Sequence, residues 1–222
     1  MRPSAMARIL LTAGPTRAYI DAVRFITNAS SGRMARALAQ ALLARGHRVT
    51  IVSGPVAVRY PPGARVIPVT TTGEMLEAAL AELPAADGVI AAAAPCDFEP
   101  VRRATGKIPR SGDGLTLALV PTVDVIATLA ARARSARPAK GRRPTWCVAF
   151  ALEPGADARR ACAKVTAKHC DLIVVNDLGA LESAVTAVSV YDAAHEIVGV
   201  RRGTKAVVAA WLVRLVERRL MG

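Results

Sequence analysis

Apolar positions fall in two rhythms along the chain: short unbroken runs of strand length, and longer stretches in which they recur every three or four residues. Residues 7–13 form the first run, ended by Gly14-Pro15-Thr16, which predicts a buried strand and a turn. Over 34–45, Met34, Leu38, Ala41 and Leu42 share one face and Gly46 follows, predicting an amphipathic helix with a glycine stop. Strands are predicted over 47–53 and 65–69, and a buried strand over 88–93. Between them, 72–83 predicts a helix, with Glu74 in its first turn where the helix dipole favours an acid.

The second half repeats the alternation after an irregular stretch, 95–110. A hairpin turn is expected at Ser111-Gly112-Asp113-Gly114, joining Lys107-Ile108 to 115–119, and such an excursion between strand and helix suits a flap over a site. Helix 124–134, strand 145–151, helix 156–168 and strand 171–175 follow, the last closed by Asn176-Asp177. A hairpin over 188–200 turns near Ala193-Ala194-His195, and 204–220 predicts a final helix. Alternating strands and helices imply right-handed crossovers. The expected class is therefore α/β, a Rossmann-like three-layer fold with a mainly parallel central sheet and a flap or hairpin excursion. With no internal repeat and no linker-like segment, residues 1–222 are expected to form one domain.

Composition agrees: 222 residues at 52% hydrophobic suffice for a large core, which excludes a disordered chain. Charge adds something less ordinary, because 30 Lys plus Arg against 17 Asp plus Glu leaves +13 and calls for an anionic partner. Nucleic acid, a membrane surface and phosphorylated metabolites are the candidates. The excess is 25 Arg against 5 Lys, scattered in pairs such as Arg102-Arg103 and Arg218-Arg219, so it outlines no single stripe. Its densest run, 132–143, holds Pro138 and Gly141 and reads first as a solvated loop, second as a nucleic-acid patch. Cys96, Cys147, Cys162 and Cys170 have neither CxxC spacing nor disulfide-scaffold density, so reduced thiols are expected. Without a secretory apolar segment or a run of ~20 apolar residues, a cytoplasmic protein is expected, with no membrane partner.

In open α/β sheets, ligands bind beyond the carboxyl ends of the strands. After the first predicted strand a long loop carries Asp21, Arg24, Asn28 and Ser30-Ser31-Gly32. Hydroxyls and a glycine before a helix leave backbone N–H groups for phosphate oxygens, although the same serines suit plain capping. After the fourth strand, Ala92, Ala93 and Ala94 would let a ligand ring approach the backbone beside Asp97 and Phe98; tight packing and a turn aspartate explain them equally. Lys107 and Arg110 place two cations on the flap, or are ordinary surface charge. Lys164 and Lys168, four apart on one predicted helix, share a face suited to a polyphosphate, a spacing also common among solvated lysines. Neither a Walker loop nor a GxGxxG fingerprint is present, which disfavours a standard nicotinamide enzyme.

The segment TAGPTRAYIDAVRFITNASSGRM, Thr12 to Met34, resembles the signature of the phosphopantothenate-cysteine ligase family, also called phosphopantothenoylcysteine synthetases. VTIVSGP (49–55), AAAAPCDFEP (91–100), KIPR (107–110), VDVI (123–126), VAF (148–150) and KVTAKHCDLIVVND (164–177) match in order, so the resemblance spans nearly the whole chain. It implies a Rossmann-like homodimer of coenzyme A biosynthesis that activates the carboxylate of 4′-phosphopantothenate with a nucleotide, CTP before ATP. Pyrophosphate leaves, cysteine then attacks, and Mg2+ serves as phosphate counter-ion. By motif, Lys107 neutralises phosphate charge and Lys164 and Lys168 hold the triphosphate. Gly14, Ser30, Ser31, Gly32, Ala92, Ala93, Ala94, Asp97, Phe98, Val123, Asp124, Val125, Ile126 and Phe150 bind nucleotide. Arg24 and Asn28 address the phosphopantothenoyl group, and with Lys107 form the catalytic set.

The apolar helix 207–220 is expected to add area to the dimer contact. In many bacteria the family is fused behind a flavin-dependent decarboxylase domain; no residues precede Met1, so a stand-alone ligase is expected, with a separate phosphopantothenoylcysteine decarboxylase as a candidate partner. The sequence departs from the family pattern at Pro95-Cys96, Pro109-Arg110, Thr122-Val123 and over 181–187. Two other classes compete. A Rossmann-like nucleotide-binding oxidoreductase lacks support, since none of Tyr19, Tyr60 and Tyr191 has a lysine four residues on, and a nucleic-acid module rests on net charge alone.

Overall fold

The computed structural model describes residues 6–110, 112, 114–137, 143–153, 158–176 and 185–222. Its elements begin with β1 (Arg8–Ala13), a hairpin of β2 (Arg17–Tyr19) and β3 (Phe25–Thr27), α1 (Arg33–Ala44), β4 (Arg48–Ser53), β5 (Arg65–Pro68), α2 (Thr72–Glu82) and β6 (Gly88–Ala91). An arm follows, built on β7 (Phe98–Pro100) and β8 (Leu119–Pro121), then α3 (Val125–Ser135), β9 (Trp146–Leu152) and α4 (Ala158–Ala167). The chain continues through β10 (Leu172–Asn176), β11 (Val185–Asp192), β12 (Ile197–Thr204) and α5 (Lys205–Val216).

The eight-stranded sheet has the order β12-β11-β10-β9-β6-β1-β4-β5. β10 through β5 run parallel, and β11 and β12 close one edge antiparallel. Successive strands move outward from β1 to β5, then return to its other side at β6, so a topological switch point lies between β1 and β6. Strands covered on both faces must be apolar throughout, and β1 is buried at every position after Arg8. Its Ile9 and Leu11 pack with Leu38 and Leu42 of α1 and Leu212 and Val213 of α5. Leu10, facing the other way, joins Met75 and Ala79 of α2 and Leu129 and Ala130 of α3. These are the three layers that the alternating pattern predicts.

Helix starts follow local chemistry. Thr71 and Glu74 form a reciprocal capping box at α2, Asp124 caps α3 through the Ala127 N–H (3.0 Å), and Thr204 caps α5.

Three expectations change. The long loop after β1 folds into a hairpin, with Arg17 opposite Thr27 and Tyr19 opposite Phe25. In the arm, Lys107-Ile108 does not pair with 115–119; Phe98 pairs with Pro121, Glu99 with Val120 and Pro100 with Leu119. Pro109 explains part of this, since it lacks an N–H and restricts the residue before it. Third, α5 turns Val208, Leu212, Val213 and Val216 into the core and leaves Val207 exposed, so most of the apolar surface expected for a dimer contact is spent within the chain. Other exposed apolar side chains include Val23 and Phe25 on the hairpin, Phe98, Val101, Leu115, Leu119 and Val120 on the arm, and Ile197 and Val200 on β12.

Parts of some predicted features fall outside the described residues: Ser111 and Asp113 of the hairpin turn, 138–142 of the arginine-rich run, 156–157 of the fourth helix, Asp177, and 181–184 of the divergent loop. Cys96, Cys147 and Cys170 are free and buried. No helix among the described residues is long and apolar enough to cross a membrane.

Candidate active site

A cleft of about 700 Å³ opens beyond the carboxyl ends of β6 and β9, beside the switch point. The motif residues Asn28, Ala93, Ala94, Asp97, Phe98, Val123, Asp124, Val125, Ile126, Phe150, Lys164 and Lys168 all line it. A smaller pocket of about 140 Å³ shares Ala93, Ala94, Phe150 and Leu152 with the cleft and adds Ser30, Ser31, Gly32 and Ala92. Gly14, Arg24 and Lys107 line neither.

The walls are fixed by backbone pairing that outlasts the strands. Ala92 N–H donates to Thr12 O at 3.1 Å and Ala94 N–H to Gly14 O at 2.9 Å. Gly14 acts through its backbone: its φ is +71°, and a Cβ there would stand 2.7 Å from Val56 Cγ1. Asn28 stitches the next loop across, its Nδ2 donating to Ala94 O (3.3 Å) and Pro95 O (2.8 Å).

Below the cleft lies a knot of hydroxyls. Thr16 Oγ1 meets Thr72 Oγ1 at 2.8 Å and accepts from the Cys96 N–H at 2.8 Å, while Cys96 O accepts from Thr122 Oγ1 at 2.5 Å. Pro95-Cys96 and Thr122-Val123, two of the divergent pairs, thus sit in and over this floor.

Gly32, left-handed at φ +72°, is the N-cap of α1, and no side chain caps that helix. Ser30 and Ser31 therefore do not serve as caps. They line the small pocket together with the first-turn residues Arg33, Met34 and Ala35, whose end of the helix carries partial positive charge. Two groups in that pocket have no motif behind them. Thr186 is buried and its hydroxyl finds no protein partner among the described residues, and Lys205 has its pKa lowered by burial and then by Arg33.

Lys164 and Lys168 both reach the cleft, and each is matched by a carboxylate. Lys168 Nζ stands 2.9 Å from Asp124 Oδ2, and Lys164 pairs with Glu153, which is buried just past the end of β9. Glu153 escaped the sequence reading; its available signal was an acid directly after an apolar strand run.

Arg24 is engaged outside the cleft. Its Nη1 lies 3.0 Å from Asp21 Oδ2 and its Nη2 donates to Ile108 O at 3.1 Å. The neighbouring Lys107 is exposed on the arm. Among the described residues no cluster of three or more His, Cys, Asp or Glu side chains stands ready for a metal ion.

Comparison with known proteins agrees with this architecture. The model of the family described as "DNA/pantothenate metabolism flavoprotein C-terminal domain" matches residues 5–220. The coenzyme A biosynthesis bifunctional protein CoaBC of Bacillus subtilis is 40% identical over 173 residues, 78% of this chain and 40% of that protein. A cysteine/cysteine sulfinic acid decarboxylase from an unknown prokaryotic organism is 35% identical over 218 residues, 96% of this chain and 58% of that protein. The chain thus spans about two fifths to three fifths of these relatives. Among solved structures, the C-terminal domain of a CoaBC protein superposes with a TM-score of 0.80 at 30% identity, covering 99% of this chain and 98% of that one. Matched from end to end by the family model and by that solved domain, the chain belongs to the family of the DNA/pantothenate metabolism flavoprotein C-terminal domain.

Proposed function

We propose that the chain is a phosphopantothenate-cysteine ligase domain, joining 4′-phosphopantothenate to L-cysteine through an acyl-nucleotidyl intermediate, with CTP preferred to ATP, in the cytoplasm. The observation that carries this reading is the joining of two anion-suited pockets along one wall. Lys164 and Lys168 stand on one side of it, and the uncapped start of α1 on the other. A nucleoside triphosphate and a phosphorylated acid each have an anionic end and an organic body, so a bipartite site of this kind suits the pair. The CoaBC relatives, named for coenzyme A biosynthesis, support the same reading. Neither an oxidoreductase nor a nucleic-acid module gains support from them.

In this reading the nucleoside rests against Asp97, Phe98, Phe150 and Val123 to Ile126, close to the backbone of Ala92 to Ala94. The triphosphate meets Lys164, Lys168, Ser30, Ser31 and the amides after Gly32, with Gly14 shaping the turn beneath. In the first step the substrate carboxylate attacks the α-phosphorus and pyrophosphate departs with the bonding pair. Lys107, on the arm, neutralises the charge gathering on the leaving phosphates. In the second step the cysteine amine attacks the acyl carbon, the nucleoside monophosphate leaves, and the amine releases a proton. Asn28, whose Nδ2 is tied to Ala94 O and Pro95 O, keeps Oδ1 for the incoming amine, and Arg24 acts from the root of the arm.

Mg2+ would supply charge neutralisation on the triphosphate. Asp124 is occupied by Lys168 and the Ala127 N–H, and among the described residues no carboxylate cluster faces the cleft, so the ion would be held by the phosphate oxygens and water. The assembly proposed is a homodimer joined through the exposed apolar side chains of hairpin and arm.

The test is pyrophosphate release from CTP and from ATP with Mg2+ and 4′-phosphopantothenate, followed by product mass after cysteine is added. Phosphopantothenoylcysteine is expected. No product with any nucleoside triphosphate refutes the reading, and carbon dioxide released from cysteine without nucleotide would favour a decarboxylase instead.

A further inference from the structure

The β2–β3 hairpin grips the arm at three places. Arg103 lies 4.5 Å over the Tyr19 ring centroid, and Ile20 O accepts from the Ala104 N–H at 3.0 Å. Beyond Thr105-Gly106-Lys107, both backbone groups of Ile108 are taken: its N–H by Asp21 Oδ2 at 3.2 Å, its carbonyl by Arg24 Nη2 at 3.1 Å. Asp21 unites the last two bonds, for its Oδ2 also receives Arg24 Nη1 at 3.0 Å. Its other oxygen, Oδ1, accepts the amides of Val23 and Arg24, each at 2.7 Å. One oxygen therefore shapes the hairpin's turn while the other holds the arm. Asp21 has no solvent-exposed surface, and the Arg24 amide, then the Val23 amide, keep its carboxyl below the ordinary aspartate range.

We infer that Asp21 is a positioning residue for Lys107: through Ile108 and Arg24 it fixes the root of the segment that delivers the ammonium group to the departing phosphates. This rests on the ligase reading above, in which Lys107 neutralises developing charge. Anchors at Ala104 and Ile108 leave only Thr105, Gly106 and Lys107 between them, so the Lys107 backbone samples a small volume. A cation held near its working position costs less reorganisation when charge appears than one spread over a free arm.

Asp21→Asn separates the two oxygens' duties. A carbonyl oxygen remains for the Val23 and Arg24 amides, but an NH2 group now confronts the Ile108 N–H and Arg24 Nη1, so the turn survives and the latch opens. Deuterium uptake of a peptide spanning Ile108 should accelerate while the melting temperature stays within a few degrees of wild type. Pyrophosphate formation should slow about 10- to 100-fold with the nucleotide KM changed less than about threefold. Added to Lys107→Gln, the substitution should cost clearly less than it does alone, because Asp21 acts chiefly through Lys107 and only the part passing through Arg24 remains.

Unchanged uptake overturns the latch. Faster uptake with normal turnover, or additive losses in the double variant, overturns its role in positioning Lys107. If the wild-type chain releases no pyrophosphate, the ligase reading fails and the positioning role with it, while the uptake comparison still decides the latch.

Discussion

Lys164→Met, in α4, and Lys168→Met, just past its end, remove the same charge from the same cleft, yet they should differ in what they cost the fold. The Glu153 side chain that Lys164 faces is only 4% exposed, whereas Asp124, opposite Lys168, is 45% exposed. Stripping one member from a buried pair costs roughly 3–5 kcal/mol, because the remaining charge is left in a poor solvent. Lys164 itself is 45% exposed, so water already solvates part of that pair, and about half the figure, ~2 kcal/mol, is the expectation. Asp124 keeps its solvent and the Ala127 N–H, and Lys168→Met should cost roughly 0–1 kcal/mol. For a chain of this size each kcal/mol is about 2–4 °C, giving a fall of about 4–8 °C for Lys164→Met and at most about 4 °C for Lys168→Met. Nucleotide affinity should fall in both, by about 10- to 100-fold in KM for one lost charge-assisted contact. Combining Glu153→Gln with Lys164→Met should restore most of the melting temperature and none of the affinity. Thermal melts by circular dichroism and KM for CTP from pyrophosphate release measure both quantities. Equal temperature losses in the two single variants, or no recovery in the double, would refute the assignment of Glu153 as a buried, Lys164-dependent carboxylate.

The other expectations are briefer. Asn28→Asp turns a carboxylate toward Ala94 O and Pro95 O and should let the acyl-nucleotide accumulate, whereas Lys107→Gln should slow its formation about 10²- to 10³-fold; rapid-quench mass spectrometry showing equal slowing of both half-reactions by both variants would contradict the division of roles. Burial raises the Cys170 thiol to about 12 and that of Cys147 further, so both should resist alkylation at pH 8 in the folded chain. Unfolded thiols titrate near ~8.5, so above that pH the folded state binds more protons and their contribution to stability should be lost as pH rises toward 12; denaturant midpoints that rise between pH 8 and pH 10.5 would reverse the sign. Val120→Lys should weaken self-association as read by light scattering, and a fully active wild-type monomer at assay concentration would refute the dimer.

The layered sheet was legible because its information is local and repetitive: apolar runs such as Ile9 to Ala13, glycine after α1, and an acid, Glu74, in the first turn of α2 each point to one element. Motif residues such as Asp97, Val125 and Lys164 converge on the cleft because each follows a parallel strand or lines the start or face of the next helix, positions that the fold brings to one end. What escaped depends on contacts distant in sequence. The β2–β3 hairpin has only three residues per strand, too few for alternation to register. The arm pairs Glu99 with Val120, across a stretch in which the apparent turn at 111–114 was the only visible signal. Glu153 and Thr186 belong to the site through burial, which no single residue's neighbours in the chain reveal.

The hydroxyl knot of Thr16, Thr72, Cys96 and Thr122 bears on how the molecule melts. It draws the turn after β1, the first turn of α2, the loop after β6 and the end of the arm onto a few shared atoms, so none of these segments can loosen without stripping partners from the others. The floor of the cleft and the sheet beneath it should then behave as one cooperative unit rather than as a stable core carrying a softer site. On heating, the capacity to bind at this floor should persist up to the global transition and vanish with it, leaving no temperature window in which a folded but binding-incompetent chain accumulates.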